Sequence, residues 1–358
     1  MKRALLLIAL TPLWLACDDG SGGGATPSVD TAVDVSEDTT TSVTDTPTTD
    51  DGSEDTVAPE DAAGTEDTGV TDAGPSPEVL YGESCESAER IGQFLVAHEE
   101  FYAQVSGEVA AGVIPLTVLQ EVETQGDCRL MRKENPFCET PCQAGELCDH
   151  DGTCVDYPEN KSVGSVTVSG LKDGDVVMEP KNATYFDTNV SMPLFDPGAP
   201  VRLVAAGDEL PGFELNAFGV PDLELPEGVI TMQSETPLDI NWTAQPGGWK
   251  LYFSLNIDQH GASPATLFCE VEDTGSYQVP AAFVDAILSM GVSGFATAHF
   301  YRRTVDAVQL DAGCVQLTVS SYVYGKLEVE GHTACNFDPD CPEGEVCEIA
   351  INTCVEAD

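Results

Sequence analysis

The chain has 358 residues, of which 14 are Lys or Arg and 62 are Asp or Glu, for a formal net charge of −48. That charge excludes nucleic acid as a partner, because phosphate recognition needs clustered basic side chains, and it argues against docking on an anionic membrane surface through side chains. At 42% hydrophobic, the chain has material for at least one apolar core and is not disordered throughout.

Met1-Lys2-Arg3 is a basic start, followed by an apolar run from Ala4 to Ala16 and then Cys17. As a helix that run would span about 20 Å, short of a hydrocarbon core of about 30 Å. Residues 1–16 therefore read as a cleaved export signal. Leu15-Ala16-Cys17 resembles the lipobox of bacterial lipoproteins, which implies that the Cys17 thiol is acylated and becomes the new N-terminus. Trp14 departs from the usual pattern, which has an aliphatic residue there; the alternative is an ordinary signal with a chance cysteine. Removing Cys17 from the 13 cysteines leaves 12, the even number expected of an oxidised exported protein. The implied location is the bacterial cell envelope, with the N-terminal lipid holding the chain on a membrane. Outer membrane or cell surface is favoured, while Asp18 beside the lipid site keeps the inner membrane open.

Residues 18–80 hold 17 acidic side chains and no Lys, Arg, aromatic residue or cysteine. Nothing there can bury enough surface to offset the entropy of ordering, so 17–80 is expected to be a lipidated cysteine followed by a disordered tether. Self-repulsion extends it to a reach on the order of 45 Å or more. It reads as a spacer, with calcium collection or O-glycosylation at Thr as alternatives. The body from residue 81 keeps 45 of the acids and 12 of the bases. Its apolar residues alternate, which is the strand signal. Strands are expected at 94–98 and 101–109, in an N-terminal β region (81–134) packed with the sandwich. After a cysteine-rich segment at 135–157 come strands at 163–168, 201–205 and 213–217. Leu238, Ile240 and Trp242 share one face, the turn 245–248 follows, and Trp249 to Ile257 alternate again, which predicts a hairpin. Beyond a strand at 265–271, a helix is expected over 280–289, with Pro280 first and Phe283, Ile287 and Leu288 toward the core. Strands at 296–302, 305–310 and 315–329 follow, the last read as two. This is a mainly β fold: an antiparallel β-sandwich (158–331) with one short helix and two small disulfide-rich modules, the second at 332–358.

The modules are an internal repeat. Cys142 to Cys148 and Cys341 to Cys347 both read C-x-x-G-E-aliphatic-C, and each is followed by a matching end, Gly152-Thr153-Cys154-Val155 and Asn352-Thr353-Cys354-Val355. Cys138 and Cys335 begin them. Segments this short cannot build a core, so cross-links must hold them. Zinc is the alternative use of four cysteines, but export to an oxidising compartment and the lack of a C-x-x-C knuckle oppose it. First-to-third and second-to-fourth pairing is expected in each module, one of three possibilities. Cys85, Cys128, Cys269 and Cys314 remain, paired most simply as 85–128 and 269–314.

These modules resemble short cysteine-rich repeats, distantly similar to the Dickkopf N-terminal region, found in exported bacterial proteins. Taken whole, the chain resembles a group of uncharacterised bacterial surface lipoproteins with a lipobox, an acidic tether, a β-domain and such modules. Within the β-domain the resemblance rests on Cys269 to Gly275 followed by Val279-Pro280-Ala281. It implies extracellular binding by the modules and no particular activity.

Patterns for catalysis fail on specific residues. His98-Glu99 begins like H-E-x-x-H, but Tyr102 stands where the second ligand must be, on a segment that reads as strand. Gly291 to Gly294 is one residue short of a nucleophile elbow around Ser293. Asn336, Asp338 and Asp340 alternate like calcium ligands, but Cys341 and Cys347 occupy the required Gly and Glu places. Asp149 and Asp151 could supply an isolated weak site, against a reading as solvated turn carboxylates. No catalytic residue, metal or cofactor is expected. The favoured function is a non-enzymatic surface lipoprotein that binds or adheres to a protein or glycan ligand; the alternatives are a structural envelope component and a hydrolase whose site is assembled only in space. An exposed aromatic row would favour the first.

Overall fold

The computed structural model describes residues 81–99, 101–133, 135–260 and 264–357. The signal segment 1–16, Cys17 and the 18–80 tether lie outside them. The strands, in chain order, are β1 (Arg90–His98), β2 (Ala103–Val109), β3 (Leu119–Gln125), β4 (Cys128–Lys133), β5 (Glu146–Cys148), β6 (Cys154–Asp156) and β7 (Val166–Ser169). There follow β8 (Val176–Met178), β9 (Thr184–Asp187), β10 (Pro200–Ala205), β11 (Phe213–Phe218), β12 (Val229–Met232) and β13 (Leu238–Asn241). The last are β14 (Lys250–Asn256), β15 (Ala265–Glu272), β16 (Ser276–Val279), β17 (Thr297–Leu310), β18 (Gly313–Val329), β19 (Glu345–Glu348) and β20 (Thr353–Glu356). Helix α1 (Ala281–Leu288) lies between β16 and β17.

The spine is the β17–β18 hairpin, paired in continuous register from Thr297↔Lys326 to Leu310↔Gly313. It is the centre of a ten-stranded sheet ordered β3-β4-β15-β14-β17-β18-β1-β2-β9, with β12 also on β18. A 17-residue strand spans roughly 55 Å, so two shorter strands share its far edge. β1 runs parallel to its first half and β12 parallel to its second. Parallel neighbours need long connections, and both partners come from far upstream in the chain.

Alternation along this sheet builds two cores. Phe94, Val96, Val315, Leu317 and Val319 pack against Val168, Leu203 and Leu215 of a four-stranded sheet ordered β11-β10-β7-β8. This is the sandwich. Further along, Leu130, Leu251, Phe253, Leu267 and Phe300 pack against Ile240 of the β13–β16 ribbon and against Phe283, Val284 and Ile287 of α1. Between the cores, on the same side of β17 as Phe300, lies Arg302, fully buried. Its Nε donates to Asp273 Oδ2 at 2.9 Å, and its other nitrogens donate to Asp273 Oδ1 and to the carbonyls of Asp222 and Thr243.

The structure corrects several expectations. The 238–257 hairpin does not form: β13 pairs with β16, while β14 has both edges taken, by β15 and β17. The two tryptophans explain the separation. Trp242 enters the second core and donates to Asp273 Oδ1 at 2.5 Å, whereas Trp249 enters the first. Residues 297–310 form one strand instead of two, because Thr304 stays in register and its hydroxyl donates to the Phe218 carbonyl. The 315–329 stretch is likewise a single strand, held by an unbroken ladder to β17 as far as Lys326 and by β12 beyond it. Strand β2 begins at Ala103, leaving Phe101 85% exposed in the turn. Pro280 precedes the helix as its N-cap, with its carbonyl accepting from Phe283 and Val284; Phe283 and Ile287 lie in the core and Leu288 packs half-buried against it, as expected.

The pairing of the four body cysteines also differs. The bridges are Cys85–Cys314 and Cys128–Cys269, not 85–128 and 269–314. Cys128 and Cys269 are direct partners across β4 and β15, with Cα atoms 4.1 Å apart. Strand pairing, not nearness in sequence, selects the partner. Cys85 belongs to the segment that crosses the sheet beside β18, where its N–H donates to Gln316 Oε1. Within the modules the bridges are 138–148 with 142–154, and 335–347 with 341–354.

Candidate functional site: an aromatic row on the outward sheet face

Side chains alternate across a strand. Because Leu251, Phe253, Leu267 and Phe300 point into the second core, their neighbours in sequence point outward. On β14, β15, β17 and β18 those neighbours include Tyr252, Phe268, His299, Tyr301, Tyr322 and Tyr324. Register aligns them, since Tyr252 is opposite Tyr301, Tyr301 opposite Tyr322, and His299 opposite Tyr324.

The rings touch in sequence across the sheet. Centroids are 5.9 Å apart for Phe268–Tyr252 and Tyr252–Tyr301, and 6.0 Å for Tyr301–Tyr322. Tyr322 meets Tyr324 edge-on at 5.6 Å, and Tyr324 meets His299 edge-on at 4.8 Å. The Arg303 guanidinium stacks on Tyr252, 3.9 Å from the ring centre. Most of these rings are half-buried against one another, and Tyr324 is 59% exposed. Burial raises the pKa of the Tyr252, Tyr301 and Tyr322 phenols, so they remain neutral hydroxyls at physiological pH.

Charge sets this face apart. Along the outward positions of these four strands, Lys250, Arg303 and Lys326 balance Glu270, Glu272 and Glu328, on a chain whose net charge is −48. Burial raises the Glu270 pKa, but the Lys250 hydrogen bond at 2.9 Å and the charges of Lys250, Arg303 and Arg129 outweigh it and leave it lowered. The face is aromatic, near-neutral and rigidly backed by a core.

At its β18 end the row meets a break in the sheet. β1 pairs with β18 as far as His98↔Ser321, and β12 takes over at Val229↔Lys326. A cavity of about 640 Å³ opens between them, bounded by His98, Asp222, Glu224 and Tyr324 among others.

The residues singled out in the sequence fall elsewhere or take local roles. His98 ends β1, stacks on Phe195 and bonds Asp222 Oδ1 through Nε2 at 2.8 Å; it makes no pair with position 102. The Ser293 hydroxyl donates to the buried Asp258 carboxylate and accepts the His260 backbone N–H, so His260 reaches it through its backbone and not its ring. Asp151 Oδ1 accepts from the N–H and hydroxyl of Thr153. Asp340 accepts the N–H groups of Asn336 and Phe337, and Asp338 accepts that of Cys347. These carboxylates organise turns. The sulfurs of Cys138, Cys142 and Cys154, and of Cys335, Cys341 and Cys354, cluster within 4.8 Å because the interleaved bridges cross; a sulfur in a disulfide is no thiolate ligand. His150 and His332 bond the carbonyls of Pro115 and Gly294, docking each module on the body. Among the described residues no helix is long and apolar enough to cross a membrane.

Sequence reasoning missed the aromatic row itself. Its signal was tyrosine at positions where alternation calls for a polar outward side chain, as in Tyr322-Val323-Tyr324.

No family model matches the chain, and no curated protein matches it. Among solved structures it is similar to the chicken CNTN1 FN1–FN3 domains, at 8% identity and a TM-score of 0.15, over 58% of this chain. The match covers 66% of that three-domain chain, just under two thirds.

Proposed function

We propose that the protein is a non-enzymatic binding or adhesion protein of the bacterial cell envelope, lipid-anchored at Cys17, with the aromatic sheet face as its ligand surface. One observation carries this reading: six rings contiguous across four strands, on a charge-balanced face of a strongly acidic chain. Contiguous exposed apolar surface marks interaction sites. Tyr and Arg dominate the energetics of protein interfaces because they offer large contact area with few rotatable bonds. The favoured ligand is therefore a protein surface, with a glycan stacking on the rings as the competing outcome. The tether supplies reach, and the cysteine modules dock on the body through His150 and His332.

The test is capture from envelope extracts and on glycan arrays, comparing the wild type with Tyr301→Ala, Tyr322→Ala and Tyr324→Ala. Each substitution is expected to weaken capture more than about fivefold while tryptophan emission stays native. Unchanged capture by all three would move the ligand surface off the row, and no capture by the wild type would leave the chain as a spacer of the envelope. The anchor is tested in parallel, since Cys17→Ser is expected to abolish palmitate labelling.

A further inference from the structure

Arginines gather at the Tyr252 end of the row. Arg303 stacks on that ring at 3.9 Å, and two strands outside the four add a guanidinium each. Arg129 of β4 lies directly opposite Phe268, and Arg90 opens β1. Both reach the Tyr252 phenol. Burial raises its pKa, the charges of Arg303, Arg129 and Arg90 oppose the rise, and that of Glu270 adds to it. Three guanidiniums and one carboxylate thus act on a single half-buried hydroxyl. Burial lowers the Arg90 pKa, and although the Tyr252 phenol offsets this, the like charge of Arg303 lowers it further.

Elsewhere on the body cations are neutralised, as in Lys161, Lys172, Arg202 and Lys326, which pair with carboxylates at 2.6–3.3 Å. Among the described residues the guanidiniums of Arg90 and Arg129 make no hydrogen bond or ion pair. Glu270 is already engaged, by Lys250 at 2.9 Å and by Arg303 at 3.8 Å. One unpaired surface arginine is ordinary. Like charges drawn together at one phenol, on a body with 45 acids against 12 bases, carry a repulsion that an anion would relieve. Beside them lies a cavity of about 50 Å³, bounded by Tyr81, Ser84, Lys250, Tyr252, Glu270 and Arg303 among others. It has room for about three or four water-sized groups. The Tyr252 hydroxyl, without a hydrogen-bond partner among the described residues, is not sealed from solvent.

We propose that the Tyr252 end of the row takes the carboxylate of a glutamate side chain presented by a protein partner, bound by the guanidiniums of Arg303, Arg129 and Arg90. Guanidinium nitrogens donate and never accept, and a neutral phenol can donate beside them. An anion therefore fits the arrangement, and a cation is repelled. Arginine and carboxylate also make the stronger, directional class of hydrogen bond. The size of the cavity selects the source. Glutamate carries its carboxylate on a two-methylene arm that can enter, whereas the carboxylate of a uronic acid sits on a ring too wide to follow it. The rest of the partner then lies on Tyr301 and Tyr322, the next rings of the row. The choice of a protein rests on the reading of the row as the ligand surface; the anion chemistry does not.

The test titrates the full chain, at constant ionic strength, with Nα-acetyl-glutamate methylamide, its glutamine counterpart and methyl glucuronide. NMR follows the Tyr252 ring and the side-chain Nε–H signals of Arg90, Arg129 and Arg303. The glutamate probe is expected to shift all four residues and to bind at least about tenfold tighter than glutamine. Arg90→Gln and Arg129→Gln should each weaken it about fivefold. Arg129 is exposed, so its replacement reports on binding even if Arg90→Gln disturbs the fold. Arg202→Gln, which removes the same charge from β10 of the four-stranded sheet, should change nothing. Glutamine binding as tightly as glutamate, or no shift at Tyr252, overturns the proposal. Binding that weakens as much with Arg202→Gln as with Arg129→Gln also overturns it, as attraction to diffuse charge. Methyl glucuronide displacing the glutamate probe would overturn the protein source. Because the probes are small, their binding is read independently of whether Tyr301→Ala affects capture of a macromolecule.

Discussion

Asp273→Leu is the sharpest test of how the two cores are joined. The side chains of Arg302 and Asp273 are 0% and 1% exposed. Asp273 accepts from two guanidinium nitrogens, from the Trp242 indole at 2.5 Å and from the Gln245 N–H at 3.2 Å. Removing one partner of a buried pair leaves an uncompensated charge, at a cost of about 3–5 kcal/mol. Two further donors lose their acceptor, so the loss should lie at the upper end, about 5 kcal/mol. Against a typical total of about 5–15 kcal/mol, that is a large fraction. Arg302→Met should lose less, about 3 kcal/mol, because Asp273 keeps its other two donors. In the double variant no charge is left unpaired, so its loss should fall short of the sum by at least about 2 kcal/mol. The assay is denaturant unfolding at pH 7 followed by tryptophan emission, which samples both cores because Trp249 lies in the first and Trp242 in the second. A loss under about 1 kcal/mol for Asp273→Leu, or strict additivity in the double variant, would refute the argument.

Two further predictions concern the bridges and the histidines. Cys85–Cys314 closes a loop of 229 residues and the module bridges close loops of 10 to 13, so removing the first should destabilise by on the order of 5 kcal/mol and a module bridge by about 3 kcal/mol. Mild reductant, read by thiol labelling and mass, should open Cys142–Cys154 first, because Cys154 is exposed, and Cys128–Cys269 last, because both sulfurs lie inside the core; release in the opposite order would contradict this. Burial lowers the pKa of His98 and His299. The unfolded imidazoles therefore take up protons first, near pH 6.5, and stability should fall as pH drops below that value, by at most about 1.4 kcal/mol per pH unit for each group. The lowered carboxylates, such as Asp285, add their loss only at lower pH. His98→Gln with His299→Gln should flatten the profile between pH 6.5 and 5, and an unchanged slope would count against burial as the cause.

Strand positions were legible wherever one face of a strand is buried. In β10, Val201, Leu203 and Ala205 alternate with outward neighbours, and that period survives any choice of partner. Partners were not legible, because they depend on competition for strand edges. The turn at 245–248 favoured a local hairpin, yet β14 found two better-matched neighbours in β15 and β17. The cysteines divide the same way. Pairing inside a module is confined by its short span, whereas the partner of Cys128 follows only once β4 lies beside β15. The aromatic face is the extreme case. Its rings lie between positions 252 and 324, and no local window contains the patch that four-strand register creates.

The same four strands carry stability on one side and the proposed ligand surface on the other, and this makes the two experimentally separable. Tyr301 and Arg303 point outward on β17, and Arg302 points inward between them to hold the seam. A ligand meeting the row thus meets side chains fixed from behind by a buried ion pair and by Phe300 packed on Phe253. Little further ordering is needed on binding, which lowers the entropic cost of association. Outward substitutions such as Tyr301→Ala remove contact area while leaving both cores intact. Substitution of Arg302 acts from beneath. It loosens the row without touching its surface, so it should weaken binding only in proportion to the stability it removes. If Arg302→Met abolished binding while unfolding remained native, the rings would be responding to something other than the platform under them.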